Sequence, residues 1–467
     1  MPTPPSRRAF LKTAALSAGF LGLRAYANGP QGGAPAVGPE AAAEGFGPLQ
    51  PDPQGLLRLP KGFSYKRFSQ RGERMDDGYL VPGAHDGMAA FPGPGGKTLL
   101  VRNHEMSAGA TKGSPFDEAQ WRGLDKELVY DPARGQPLCL GGTTTLLYDT
   151  RTQALERHYL SLAGTLRNCS GGPTPWGSWI TCEETVERAG EQLERDHGYN
   201  FEVPATPEPK IAPPLPLRAM GRFNHEAVAV DPATGIVYQT EDRHDGLIYR
   251  FLPEQPERLA KGGRLQALAL KGSPSRDTRN WGADGQPPFP IARPLPVEWI
   301  DLDGIDAPDD DLRLRGFEAG AARFARGEGM MRGNGEVYFA CTNGGARQFG
   351  QIFRYRPSSA EGRPGEADAP GHLELFVESR DKRLLKSCDN VTVAPWGDVV
   401  ICEDDGASSA IVGITPRGKL YPIAHVDFDS ELAGATFSPD GQTLFFNVQW
   451  DPGFTVAVTG PWERRAS

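Results

Sequence analysis

DNVTVAPWGDVVICED, Asp389–Asp404, is a pair of short apolar runs folded about a Pro-Trp-Gly turn, opening on an acidic residue and closing on two more. Valine and isoleucine at this density favour strands, and so tight a turn joins them as an antiparallel hairpin. The same plan recurs in GGKTLLVRNHE, WGSWITCEE, TGIVYQTED, GNGEVYFACTN and DGQTLFFNV, whose apolar runs stop at Glu105, Glu183, Asp242, Asn343 and Asn447. The apolar stretches before these turns open on Asp86, Cys169, Glu226, Glu328 and, in the last copy, Gly434. An antiparallel hairpin brings its first and last residues together at the end away from the turn. Repeated β-units of this length pack radially, which predicts an all-β, six-bladed propeller with little helix and long inserts. Its openers and terminators then converge on one mouth.

Carboxylates crowded at a mouth repel one another and lose hydration, so the arrangement implies cations among them. Glu105 and Glu226, each in an Asn-His-Glu tripeptide, are candidate ligands. Strand alternation turns the neighbouring His104 and His225 away, as packing or supporting residues. Cys169 offers a thiolate, which suits a transition metal, and Glu183 closes its hairpin. Asn343, Asp389 and Asp404 offer the oxygens that calcium takes, so the two ligand types together imply a mixed cluster. Arg326 stands two residues before Glu328 and presents planar donors suited to phosphate. The sequence contains no Walker loop, no His-Glu-x-x-His zinc motif and no G-x-S-x-G elbow.

The chain has 467 residues, with 58 glycines, 43 prolines and 38% hydrophobic residues, a composition of many short strands and turns. SRRAFLK, residues 6–12, precedes a short apolar run and Ala25-Tyr26-Ala27, which reads as a twin-arginine signal over residues 1–27. The apolar run is too short for a membrane span, and the partner expected there is the twin-arginine export machinery. Residues 28–55 read as a flexible linker and residues 56–467 as a single catalytic propeller domain, periplasmic or secreted and monomeric. Removing the signal takes away Arg7, Arg8, Lys12 and Arg24 and no acid, making the net charge of -9 still more negative. That balance argues against nucleic-acid binding and requires cations or local arginines to draw in an anionic substrate. Cys169 with Cys182 and Cys388 with Cys402 are hairpin-end pairs that could form disulfides on export. Inserts at 111–135, 186–217, 253–316 and 356–372 exceed ordinary loop lengths, and residues 262–295 are the candidate lid.

NHE at Asn103, NCSGGPTPWGSWITCEE from Asn168, FNHEAVAVDPATGIVYQTED from Phe223, RGEG from Arg326, DNVTVAPWGDVVICED from Asp389 and FSPDGQTLFFNVQ resemble, in order, the PhoX-type alkaline phosphatases. The resemblance implies a six-bladed propeller holding two ferric ions and two or three calcium ions under a bridging oxo group, and hydrolysis of small phosphate monoesters. By motif it implies that Cys169 ligates iron, that Glu105, Glu226, Glu328, Asp389 and Glu403 bind metal, and that Arg326 contacts phosphate, with Arg326 and Glu328 catalytic. Two other functions fit the repeats: a calcium-dependent lactonase or esterase propeller, and a non-enzymatic binding propeller pinned by calcium.

Overall fold

The computed structural model describes residues 45–282, 285–449 and 451–465. The signal segment 1–27 and linker residues 28–44 lie outside the described residues. The fold is all-β with short helices only, Glu118–Gly123 and Leu312–Glu318 being the α-helices among the described residues. None of the described helices is long and apolar enough to cross a membrane.

Each of the six repeats forms the expected hairpin. The first strands are His85–Pro92, Asn168–Pro173, His225–Val230, Gly327–Gly333, Cys388–Val393 and Leu432–Phe437. Their partners are Thr98–His104, Ser178–Glu183, Val237–Glu241, Glu336–Cys341, Val399–Glu403 and Thr443–Val448. Each first strand lies beside the first strand of the next repeat, and Leu432–Phe437 returns to lie beside His85–Pro92, which gives a propeller-like ring. The ring is closed from outside by the chain's amino-terminal side: Ser64–Phe68 adds to the last sheet, with Phe68 opposite Thr455 and Ser64 opposite Thr459.

The outer strands depart from a set of separate blades. Three sheets have four strands and one has three, but the third and fourth hairpins belong to one continuous nine-stranded sheet. The join is made by Leu295–Asp301, inside the 253–316 insert, and His372–Glu378, which follows the 356–372 insert; they pair through Leu295↔Leu373 and Pro296↔His372. The expected lid over 262–295 therefore begins as a strand, Gly263–Leu270, and only the stretch after it leaves the sheet. Pairing satisfies backbone groups that a free excursion would leave to water.

Apolar side chains alternate along the strands and fill the space between neighbouring sheets. One such layer joins Ile180 and Cys182 to Val228, Val237, Tyr249 and Leu265, all buried. At the turn end, Trp396, Phe437 and Trp462 pack with Phe46 and Phe63, the Trp396–Trp462 rings stacking at 5.6 Å. That contact ties down the end of the segment read as linker: Phe46 is packed in, and Leu49–Gln50 pairs with Leu59–Pro60. Trp396 of the Pro-Trp-Gly turn is therefore a packing residue.

Candidate metal centre

A β-bulge follows the first pair of five hairpins and the second pair of the sixth. In the first, His85↔His104 is followed by Met88↔Arg102, so the inner strand carries one residue more than its partner. The pattern repeats as Asn168↔Glu183 then Gly171↔Thr181, His225↔Glu241 then Val228↔Gln239, Gly327↔Cys341 then Met330↔Phe339, and Cys388↔Glu403 then Val391↔Ile401. The sixth hairpin bulges between Ala433 and Thr436. A bulge leaves its extra residue outside the ladder and re-aims its side chain. In five repeats that residue is Asp86, Cys169, Glu226, Glu328 or Asp389, the predicted openers.

The other wall of the mouth comes from the residue just past each second strand. Its amide donates to the carbonyl of the residue that precedes the first strand: Glu105 to Ala84 at 2.9 Å, Glu184 to Arg167 at 2.9 Å, Asp242 to Asn224 at 3.1 Å, Thr342 to Arg326 at 3.1 Å, Asp404 to Ser387 at 3.0 Å and Gln449 to Glu431 at 3.1 Å. Four of the accepting residues, Ala84, Arg167, Arg326 and Ser387, are left-handed at φ 44, 45, 49 and 43°. This clamp ends each hairpin and presents one more side chain inward.

The result is a continuous acidic centre. Asp86, Glu105 and Cys169 lie close enough for their ligand atoms to share an ion, as do Cys169, Glu184 and Glu226; Glu226, Glu328 and Asp389; and Asp389, Asp404 and Glu431. The ligand atoms within each group lie within 4.8 Å of one another. The Cys169 thiol donates to Asp86 Oδ2 at 3.6 Å, and Gln449 Nε2 donates to Asp86 Oδ2 at 3.1 Å. Glu226 is wholly buried, yet neither of its carboxylate oxygens accepts a hydrogen bond. A buried carboxylate with both oxygens orphaned costs several kcal/mol, roughly, and a cation is the group that offsets this.

Burial and mutual repulsion hold protons on the centre. Burial, and then Glu328 and Asp389, push Glu226 well above the carboxylate range, and burial with Glu105 and Asp389 does the same to Asp86. Asp389 is pushed up to about 7 by burial and by Asp404. Burial and Asp86 likewise raise the Cys169 thiol, so a thiolate there requires a bound cation. Donors of both kinds, several oxygens and one sulfur, fit a mixed set of hard and softer cations.

Two arginines stand over this centre. Arg326 grips Asp242 bidentately, Nε–Oδ1 2.8 Å and Nη2–Oδ2 2.7 Å, and reaches Glu328 at 2.9 Å. Arg167 lies between Glu105, at 2.9 Å, and Glu184. Of the residues expected here, the structure brings together Glu105, Cys169, Glu226, Glu328, Asp389 and Arg326.

Three others point elsewhere. Glu183 is the last paired residue of its strand and faces away, taking hydrogen bonds from His197 Nδ1 at 2.6 Å and from the amides of Leu166 and Gly198, each at 2.9 Å. Glu403 is placed likewise, accepting from the amides of Lys386 at 2.8 Å and Ala410 at 3.1 Å. Asn343 lies beyond the clamp, its Nδ2 3.1 Å from His244 Nδ1. Their places at the centre are taken by the next residue in the first two cases, Glu184 and Asp404, of which Asp404 was expected there as an oxygen donor. Asp242 was read as a terminator at the mouth but not as a partner of Arg326; Arg167 was missed, as was Glu431, whose repeat lacks an acidic opener. His104 and His225 pack as expected, bonding the carbonyls of Gly83 at 2.8 Å and Gly221 at 3.0 Å. All six cysteines are buried and free, so neither candidate disulfide is present.

The chain matches the family described as alkaline phosphatase PhoX over residues 44–453. No curated protein sequence is similar to it. Among solved structures, PhoX of Pseudomonas fluorescens in complex with vanadate, a transition state analogue, superposes with a TM-score of 0.65 at 18% identity, covering 90% of this chain and 98% of that one. A gluconolactonase of Xanthomonas campestris covers 89% of this chain and 98% of its own at 12% identity, with a TM-score of 0.38. A luciferin-regenerating enzyme covers 85% and 96% at 10% identity, with a TM-score of 0.40.

Proposed function

The chain belongs to the PhoX family of alkaline phosphatases and is a phosphoric ester hydrolase; on that premise we propose that it hydrolyses phosphate monoesters at a centre of two ferric and two or three calcium ions, in a six-bladed propeller that acts as a monomer. The nine-stranded sheet counts as two of those blades, each starting from its own inner hairpin. The observation that carries the metal reading is Glu226, buried with both oxygens unpaired between Cys169, Glu184, Glu328 and Asp389. Cys169 and Glu105 with Asp86 make the end of the centre suited to iron, and Glu328, Asp389, Asp404 and Glu431 the oxygen-rich end suited to calcium. Bound cations supply neutralisation of the charge that spreads over the phosphoryl oxygens during transfer.

The chain's own residues bind and orient the ester. Arg326 keeps its guanidinium over the centre because Asp242 holds two of its nitrogens, while its side chain remains 37% exposed and reachable from solvent. Planar paired donors of this kind match a phosphate face. The twin-arginine pattern at Arg7 and Arg8 supports export to the periplasm or beyond, after folding and metal loading in the cytoplasm. Full-length protein purified without chelator should contain iron and calcium by elemental analysis and release phosphate from a small aryl monoester at alkaline pH. Metal-replete protein without that activity, or active protein devoid of iron, overturns the corresponding part of the proposal.

A further inference from the structure

The stretch that leaves the sheet after Gly263–Leu270 reaches the rim of the mouth. Residues 278–281 lie against the end of the fourth hairpin. Gly345 donates its amide to the Arg279 carbonyl at 2.8 Å, Gln351 Nε2 donates to the Thr278 carbonyl at 3.2 Å, and Trp281 Nε1 donates to the Asn343 carbonyl at 2.9 Å. Asn343 is one residue past the clamp residue Thr342. On the neighbouring repeat His244 is two residues past the clamp residue Asp242, and its Nδ1 lies 3.1 Å from Asn343 Nδ2. The same two loops hold Arg326 from both ends of its backbone, its amide donating to the Arg243 carbonyl at 2.9 Å and its carbonyl accepting from Thr342 at 3.1 Å. Trp281 and His244 therefore stand on the rim beside the arginine that orients the phosphate.

The indole is held in place yet stays within reach of solvent. Arg279 lies over one face, its Cζ 4.3 Å from the ring centre. That guanidinium is itself fixed by Asp277, Nε–Oδ1 2.9 Å, and by the His244 carbonyl, to which Nη1 donates at 3.0 Å. Asn280, left-handed at φ 59°, ties the turn down by accepting from the amide of Phe289 at 2.6 Å, and Phe289 is buried in the core. With its nitrogen and one face committed, Trp281 remains half-buried and His244 exposed, their rings 6.2 Å apart and inclined at 59°. Such a corner stacks a planar ring at little further cost in side-chain freedom. We propose that Trp281 and His244 select the leaving group: an ester whose alcohol carries a planar aromatic ring stacks there while Arg326 holds its phosphoryl group. The inference rests on the reading of the centre as a phosphate-ester site. The organic part of a bound ester has to pass out over one rim. On the other side the fifth and sixth repeats offer Asp404, Asp405, Asp429 and Glu431, carboxylates whose hydration a ring would displace.

The test measures kcat/KM of metal-loaded full chains for benzyl phosphate and for cyclohexylmethyl phosphate, esters of like size of which only the first presents a flat aromatic face. Wild type should prefer benzyl phosphate. Trp281→Leu, apolar but unable to stack, should lower the benzyl-to-cyclohexylmethyl ratio by about fivefold, and His244→Ala by about twofold. Trp281→Phe, which keeps a ring and loses the Nε1 bond, should retain most of the preference. An unchanged ratio in folded Trp281→Leu overturns the assignment, even where both esters slow equally, as they would if Trp281 only propped the fourth hairpin. If Trp281→Leu does not fold, His244→Ala, a change at an exposed side chain, decides by the same ratio. Wild-type enzyme that hydrolyses both esters without preference also overturns the assignment. Wild-type enzyme that hydrolyses neither overturns the phosphatase reading itself, which is a different result.

Discussion

Glu226 concentrates the chemistry of the centre in one side chain. It is buried, its oxygens have no hydrogen-bond partner, and Glu328, Asp389 and Glu184 add repulsion. Such a residue works against the fold whenever it is ionised without a cation. Glu226→Gln should therefore raise the thermal midpoint of chelated protein at pH 8, while lowering the content of bound metal and at least tenfold the phosphatase rate. Thermal denaturation with and without chelator, together with elemental analysis, checks both halves. A variant less stable than wild type in chelator would show that Glu226 is satisfied some other way. Cys169 belongs to the same argument, since its thiol is held protonated by burial and Asp86 until a cation displaces the proton.

At the scale of the hairpin, the structure separates what periodicity could reveal from what it could not. The openers Asp86, Cys169, Glu226, Glu328 and Asp389 were legible because each begins an apolar strand, and the bulge that aims them inward falls at that boundary. The terminators read from the repeats fall on the clamp at Glu105, Asp242 and Asp404, one residue early at Glu183 and one late at Asn343, while the resemblance put the ligand one residue early at Glu403. Where Glu183-Glu184 or Glu403-Asp404 places two acids in a row, composition does not say which is the last ladder residue and which is the clamp. In Asn103-His104-Glu105, which carries one acid, there is no such ambiguity, and the ladder residue is His104. Glu183 proves to be a brace instead: His197 lies between it and Asp131, 2.6 and 3.3 Å away, with all three side chains buried. Burial on its own would lower the His197 pKa, but Glu183 and Asp131 override it and push it up to about 12. A folded-state pKa above the unfolded one gives stability that is full below about pH 6.5 and declines as pH rises towards the folded value. His197→Gln should thus cost about 3–5 kcal/mol at pH 6, and progressively less at pH 8 and 10. Denaturant unfolding of the variant and wild type at the three pH values measures this, and a penalty that grows with pH would refute the buried imidazolium. Because Glu183 also holds the Leu166 amide, the brace fixes the approach to Arg167.

Across the whole molecule, the ring of first strands was legible from six repeats, but the union of two hairpins into one nine-stranded sheet was not. It depends on Leu295–Asp301 and His372–Glu378, segments outside the repeated hairpins that lie far apart in sequence and carry no shared motif. What the ring does is gather acids that no single sheet would tolerate together, and this links folding to metal and to pH. Asp389 holds its proton up to about 7, and burial with like charge pushes Asp86, Glu184, Glu226, Glu328 and Glu431 further up. For an acid whose folded pKa exceeds its unfolded value of about 4, the folded state binds more protons in the interval between them, so stability falls as pH rises through it. Carboxylates whose pKa is lowered, Asp131 and Asp242, give the opposite slope, but only at pH below about 4. Chelated protein should therefore lose thermal stability steadily from pH 5 to pH 9. Metal-loaded protein reverses the sign, because cations bind the deprotonated ligands and their affinity rises as protons leave. The gap in thermal midpoint between loaded and chelated protein should be small at pH 5 and largest at pH 9, where an alkaline phosphatase works. Differential scanning calorimetry at the two pH values, with and without chelator, reads the gap directly. A gap independent of pH would mean that the acids gathered at the mouth are not the groups that bind the ions.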